Sequence, residues 1–231
     1  MAQTDWTYLN DGLDAATVDR GVTSGIATPN GGGSFLLGFD SLAADAGAVG
    51  LFTNQVSFAP LAKGGSVRAA IQRGPSGGPI GFAPLLFLGL QGKSVNDSGY
   101  LLGLEDDDPH HIVLRKGALV QGLPSTPGAA LRRSTDTFAV GTWLHLRLDM
   151  VVNDNGDVIL QCFASDLTKN PVTAPDWQPI VGMDDFTDDA LAINSGTQPF
   201  TSGYAGFGFA VSDVTRRAFF DQLEVYRQRA P

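Results

Sequence analysis

Apolar and polar side chains alternate most clearly over residues 142–152, where Leu144, Leu146, Leu148 and Met150 interleave with Trp143, His145, Arg147 and Asp149. A period of two belongs to a β-strand with one face in a core and the other toward water or a partner. The stretch Asn153-Asp154-Asn155-Gly156 follows. Its Asn-Gly pair is the strongest short-range hairpin signal, so residues 158–163 are expected to return antiparallel. Similar short runs, bounded by turn residues, predict strands over residues 34–39, 48–52, 66–73, 85–90, 100–104, 111–115, 204–211 and 218–227. In 204–211, Gly206 and Gly208 share one side and Phe207 and Phe209 the other. A side-chain-free stripe of this kind marks close approach by another sheet or a ligand.

Short strands separated by Gly/Pro turns give an all-β antiparallel sandwich rather than βαβ units. No internal repeat and no composition break divides the chain, so residues 34–231 are expected to form one domain. Residues 1–33 are polar and turn-rich, closing in Pro29-Asn30-Gly31-Gly32-Gly33. They are expected to form an extended N-terminal arm, either a solvated leader or a segment that docks on a neighbouring subunit. The loop 122–130, with Pro124 and Pro127, is the clearest candidate for an exposed excursion.

Composition reinforces the strand reading. Of the 24 acidic residues only Glu105 and Glu224 are glutamate, and lysine occurs four times, whereas glycine occurs 29 times and proline 13. Glu and Lys favour helix while Asp favours turns and caps, so helix is the minority. The net charge of −9 removes the basic footprint that nucleic acid needs and disfavours an anionic membrane. Arg132-Arg133, Arg216-Arg217 and the pair Arg227/Arg229 are too small to supply that footprint. No apolar run reaches 18 residues, and the opening Met1-Ala2-Gln3-Thr4-Asp5 lacks a basic start followed by an apolar stretch. Synthesis in the cytoplasm is the expectation. Cys162 is alone, so no intrachain disulfide forms, and within a strand it reads as a small buried hydrophobe.

Three stretches together resemble the closing strands of concanavalin A-like (laminin-G-like) jelly rolls. They are Thr142-Trp143-Leu144-His145-Leu146-Arg147-Leu148-Asp149 with the Asn155-Gly156 turn, Gly203-Tyr204-Ala205-Gly206-Phe207-Gly208, and Phe219-Phe220-Asp221-Gln222-Leu223-Glu224-Val225-Tyr226. The likeness covers roughly residues 85–227 and implies the fold. That fold hosts lectins, glycosidases, adhesion modules and phage capsid or tail proteins, so it leaves the function open. With the polar leader and no visible active site, the chain looks most like a non-enzymatic bacteriophage virion component, a capsid decoration or tail-associated protein. Such a role implies protein partners in a homo-oligomer or shell. The alternative is a carbohydrate-binding module, with or without calcium, and a glycoside hydrolase is the remote third.

The reactive-looking residues each have a plainer reading. Glucanases of this fold use E-x-D-x-x-E, and Glu105-x-Asp107-x-x-His110 matches its first two positions but has His110 in place of the acid/base. A solvated acidic turn takes precedence, with calcium held by some of Asp106, Asp107, Asp108, His110 and His111 as the next reading. Asn153-Asp154-Asn155-Gly156-Asp157 is a turn and not a calcium loop, because Val151 and Cys162 fall at the ligand positions. Gly74-Pro75-Ser76-Gly77-Gly78 fits a nucleophile elbow in spacing, but Pro79, Gly81 and Pro84 forbid the helix it needs. His145, beside Trp143 and Arg147, either lines a groove or covers a second sheet or interface. Of Trp6, Trp143 and Trp177, only Trp177 looks loop-borne and able to stack on a sugar. The run Asp184-Asp185-Phe186-Thr187-Asp188-Asp189 reads as a short helix or an acidic loop, with a solvated face as the default expectation. No catalytic residue and no cofactor is assigned.

Overall fold

A computed structural model of the chain describes residues 6–11, 18–23, 34–39, 47–53, 64–73, 82–92, 97–105, 109–118, 130–139, 141–166, 176–189, 198–211 and 217–227. Every regular element among them is a strand. In chain order these are β1 (Trp6–Asp11), β2 (Val18–Thr23), β3 (Ser34–Phe39), β4 (Gly47–Thr53), β5 (Gly64–Arg73), β6 (Phe82–Leu90), β7 (Ser98–Leu104) and β8 (His110–Ala118). After them come β9 (Ala130–Phe138), β10 (Trp143–Val152), β11 (Val158–Asp166), β12 (Gln178–Pro179), β13 (Phe186–Asp188), β14 (Tyr204–Val211) and β15 (Arg217–Arg227).

They form two antiparallel sheets. The first runs β1-β4-β14-β6-β7-β8-β9, and the second runs β12-β11-β10-β5-β15-β3-β2 with β13 also paired to β11. The sandwich expected from the alternation is therefore the observed fold. The first 33 residues contribute an edge strand to each sheet, β1 against β4 and β2 against β3. The loop 122–129 and the Gly74–Gly78 stretch lie outside the described residues.

The alternating leucines place the core as expected. Leu144, Leu146, Leu148 and Met150 of β10 are buried against Leu86, Leu88, Leu102 and Leu114 of the first sheet. Cys162 joins them, and burial pushes its thiol pKa up. The Asn-Gly hairpin is present as a five-residue loop. The Asn153 side-chain oxygen accepts from the backbone N–H of Asn155 and of Asp157, 2.9 Å each, and Gly156 takes φ 86°. The first sheet is apolar on both faces, since Leu85, Phe87, Leu101 and Val113 are buried yet stand outside the inter-sheet cluster. Gly206 and Gly208 lie opposite Phe87 and Leu85 on that outer face, while Phe207 stacks on Phe220 in the core at 4.8 Å.

The acidic run from Asp184 to Asp189 departs from the solvated face expected of it. Phe186–Asp188 is strand β13, with Phe186 and Asp188 turned inward and Thr187 outward. Asp188 has no exposed side-chain surface, because Lys116 of the opposite sheet meets it at 2.6 Å and the Tyr100 hydroxyl donates to it at 2.6 Å. Tyr100 in turn accepts from the Phe200 N–H, and Lys116 donates to the Gln198 carbonyl at 3.0 Å. Burial and the Asp188 carboxylate hold the Tyr100 hydroxyl well above its ordinary pKa. Removing one member of a buried, hydrogen-bonded ion pair strands the other charge. Asp188→Ala is therefore expected to lower unfolding free energy by about 3–5 kcal/mol in urea titration. A change within experimental error would show that this ion pair is not what fastens the sheets.

Candidate functional site

Apart from the exposed edge strand β9, the first sheet turns buried side chains outward, whereas the outer face of the second sheet carries a broad set of polar ones. Strand register stacks its side chains in rows. In one row Glu224 of β15, Arg68 of β5, Arg147 of β10 and Phe163 of β11 are direct neighbours. The next holds Tyr226, Ser66, Asp149 and Gln161, and a third holds Asp221, Ala70, His145 and Ser165.

One irregularity makes the first two rows possible. Between Asp221 and Glu224 the pairing of β15 with β5 slips by one residue, at Gln222, which takes φ 53°. A slip of one reverses which face every later side chain meets. Without it Leu223 would oppose Arg68, and Glu224 would enter the core opposite Val67. With it Val225 takes the core position and Glu224 and Tyr226 reach the outer face. Bulges next to sites re-aim side chains in this way.

The charges of the first two rows are matched in pairs. Arg68 donates to the Glu224 carboxylate through Nε at 3.0 Å and Nη2 at 2.5 Å, and to the Tyr226 hydroxyl at 2.7 Å. Arg147 donates from Nε to both Asp149 oxygens at 2.9 Å, with Nη2 also bonded to Oδ2, and lies 4.4 Å from the Phe163 ring. Gln161 donates to Asp185 at 2.9 Å. Directly opposed guanidiniums repel, but here each holds its own carboxylate and both flank one indole. Trp177 lies 5.9 Å from the Arg68 guanidinium and 5.5 Å from that of Arg147. It also stacks on the His145 ring at 4.7 Å, tilted 54°. Ser66, Arg68, Arg147, Asp149, Gln161 and Tyr226 line a hollow of about 330 Å³, with Gly65 at its edge. Tyr226 is 46% exposed, one of two large hydrophobic side chains so exposed among the described residues.

Of the residues singled out from the sequence, His145, Arg147 and Trp177 come together here. His145 neither covers the other sheet nor lines an open groove; it is buried beneath Trp177. Arg68, Gln161, Glu224 and Tyr226 were not anticipated as site residues. The alternation Ser66-x-Arg68-x-Ala70-x-Gln72 carries the signal for Arg68, whereas the bulge conceals Glu224 and Tyr226. The Glu105 stretch goes elsewhere and is no solvated turn at its described ends. Glu105 meets Arg133 at 2.6 Å and Arg115 at 3.6 Å beside the first sheet, His110 is fully buried, and the His111 Nδ1–H donates to the Ser134 carbonyl at 2.9 Å. The two glutamates thus lie on different sheets, each bound to arginine. Asp106, Asp107 and Asp108 lie outside the described residues, and among the described ones no three His, Cys, Asp or Glu side chains converge as metal ligands.

No family model and no curated protein matches this sequence. Solved structures do match in fold. The Ca²⁺/Man3GlcNAc-bound VIP36 exoplasmic/lumenal domain aligns at TM-score 0.54 and 10% identity, over 99% of this chain and 88% of that one. The carbohydrate-binding module CBM66 from Bacillus subtilis aligns at TM-score 0.51 and 14% identity, over 96% and 95% respectively. The fold is a concanavalin A-like jelly roll. At such identities the likeness speaks for the jelly roll alone, and the site must be judged from its own residues.

Two expectations follow for this face of the jelly roll. Burial, followed by the Arg68 charge, lowers the His145 pKa from 6.5 to about 4. A base whose folded pKa is depressed contributes stability that is complete above the unfolded value and is lost as pH falls through the folded one. Unfolding free energy should therefore fall between pH 6.5 and 4, and His145→Phe should remove on the order of 3 kcal/mol of that fall. Urea titrations of both proteins across that window decide it, and superimposable pH profiles would refute it. At the bulge, Gln222→Gly should keep or raise the melting temperature, because only glycine takes positive φ without strain, while Gln222→Val should lower stability by about 1–3 kcal/mol.

Proposed function

We propose that the protein is a non-enzymatic carbohydrate-binding module that takes a neutral saccharide in the hollow lined by Ser66, Arg68, Arg147, Asp149, Gln161 and Tyr226, with Glu224 bonded behind Arg68. The observation that carries this reading is the pairing of the charges. Two arginines and two carboxylates cancel, so the hollow offers fixed donors and acceptors with no net charge to attract an ion. Sugar hydroxyls need that mixture, since each is donor and acceptor at once. The exposed ring of Tyr226 supplies an apolar platform beside it. A volume near 330 Å³ lies at the small end of ligand sites and suits one or two sugar rings.

The likeness to a sugar-bound VIP36 domain and to CBM66 supports this over the virion-shell role expected from the sequence. The non-enzymatic part is supported by the bonding of Asp149 to Arg147 and of Glu224 to Arg68, because a glycosidase needs one of its two carboxyl groups free to hand a proton to the leaving oxygen.

A glycan array followed by calorimetry tests the reading. The wild-type protein should retain at least one neutral glycan class. Arg147→Ala and Tyr226→Ala should each weaken that binding by about tenfold or more, equivalent to about 1.4 kcal/mol, with little loss of fold. Retention of no glycan, or equal retention by both variants, would overturn it.

A further inference from the structure

In two of the three rows on the outer face of the second sheet the arginines, carboxylates, Tyr226 and Gln161 are bonded within the chain. The third row differs. Among the described residues, neither ring nitrogen of His145, nor the Ser165 hydroxyl, nor Asp221 Oδ2 has a hydrogen-bond partner, although all are shut away from water. His145 is 3% exposed and Ser165 2%. They are direct neighbours on β10 and β11, and Asp221 stands on the other side of Ala70 in the same row. Each unsatisfied buried group costs about 1–3 kcal/mol, and a fold has no reason to align several of them unless something satisfies them in another state.

The geometry says what that something is. Ala70, itself fully buried, stands between Asp221 and His145 and puts only a methyl group in the row. Opposed side chains on neighbouring strands stand about 4.5–5.5 Å apart at Cβ, so His145 and Ser165 can each reach one of two adjacent hydroxyls. Neutral imidazole offers one donor and one acceptor, the serine hydroxyl offers both, and the carboxyl oxygen accepts. Trp177 packs against the imidazole and is anchored by β12, which has only two residues, paired to Phe163 and Ala164. An indole turned away from His145 would uncover the row and present its own flat face to a sugar ring.

We propose that Asp221, His145 and Ser165 form a second saccharide subsite, covered by Trp177, which takes the vicinal diol of a sugar unit next to the one in the Arg68–Arg147 hollow. This rests on the saccharide reading of that hollow. Two adjacent subsites make affinity depend on chain length, because the second unit binds as an intramolecular event.

The test compares a monosaccharide and its trisaccharide in three series: mannose and mannotriose, glucose and cellotriose, xylose and xylotriose. In the series that binds, wild-type protein should take the trisaccharide at least about tenfold more tightly than the monosaccharide. His145→Phe and Ser165→Ala should cut that gain to under about threefold while monosaccharide affinity stays unchanged. Both variants should melt at or above the wild-type temperature near pH 7, since they remove unsatisfied groups, so lost affinity is not lost fold. Trisaccharide binding should change tryptophan emission, and Trp177→Phe should abolish that change while Trp143→Phe preserves it. A full length-dependent gain in both variants, or no gain in the wild type, overturns the subsite and leaves the hollow standing. Monosaccharide binding that survives Arg147→Ala and Tyr226→Ala overturns the hollow, and with it the subsite that rests upon it. Absence of binding in every series overturns both.

Discussion

Lys116 and Asp188 are both withdrawn from water, and they come from opposite sheets. Hydrophobic burial presses two sheets together without fixing how they sit, because apolar contact has no direction. A buried ion pair with a tyrosine hydroxyl, a backbone carbonyl and a backbone N–H tied into it has one geometry in which every group is satisfied. Any slide of β13 against β7 and β8 would leave a charge unpaired. The pair adds little to stability relative to apolar residues of the same shape, and its contribution is to fix one arrangement. β13 hangs on β11, and β11 carries Phe163, Gln161 and Ser165, so this fastening also holds one wall of the binding face.

The opposite wall depends on the bulge. A strand with unbroken alternation can serve a core and a surface, but it cannot change which residues do which. Phe220 and Val225 both face the core although five positions separate them, an odd spacing that strict alternation forbids. The extra residue at Gln222 absorbs the difference through one positive φ. Local strain is thereby exchanged for the placement of Glu224 against Arg68, and without that carboxylate the opposed guanidiniums of Arg68 and Arg147 would repel.

The sandwich was legible because ten strands announce themselves by apolar runs between turn residues. The strands that escaped notice had physical reasons to do so. β9 carries Arg132, Arg133, Ser134, Thr135, Asp136 and Thr137 in succession and lies at a sheet edge, where no alternating core face is required. β12 has two residues, and β13 sits inside an acidic run whose buried member is neutralised by a lysine 72 positions earlier. Long-range pairing leaves no local trace. The site was half legible for the same reason. Period two exposes Arg68, His145 and Arg147 to inspection, but Glu224 and Tyr226 sit beyond a break in that period. The contact of Trp177 with His145 spans 32 residues of sequence.

The outer face of the second sheet therefore combines two kinds of polar group with different consequences. Arg68, Arg147, Glu224 and Asp149 are held rigidly by each other, and a rigid set of donors and acceptors binds without first losing side-chain freedom. His145 and Ser165 are equally fixed by burial, but their side-chain polar atoms have no hydrogen-bond partner among the described residues, so they raise the energy of the closed state. Trp177 stabilises that state through one ring contact and two cation–π contacts, each worth about 0.5–1.5 kcal/mol. Those gains offset part of the penalty of the polar groups in the row. On the reading proposed above, a sugar unit that satisfies the row removes the remaining penalty and displaces the cover, and this is what separates a covered subsite from an ordinary buried core.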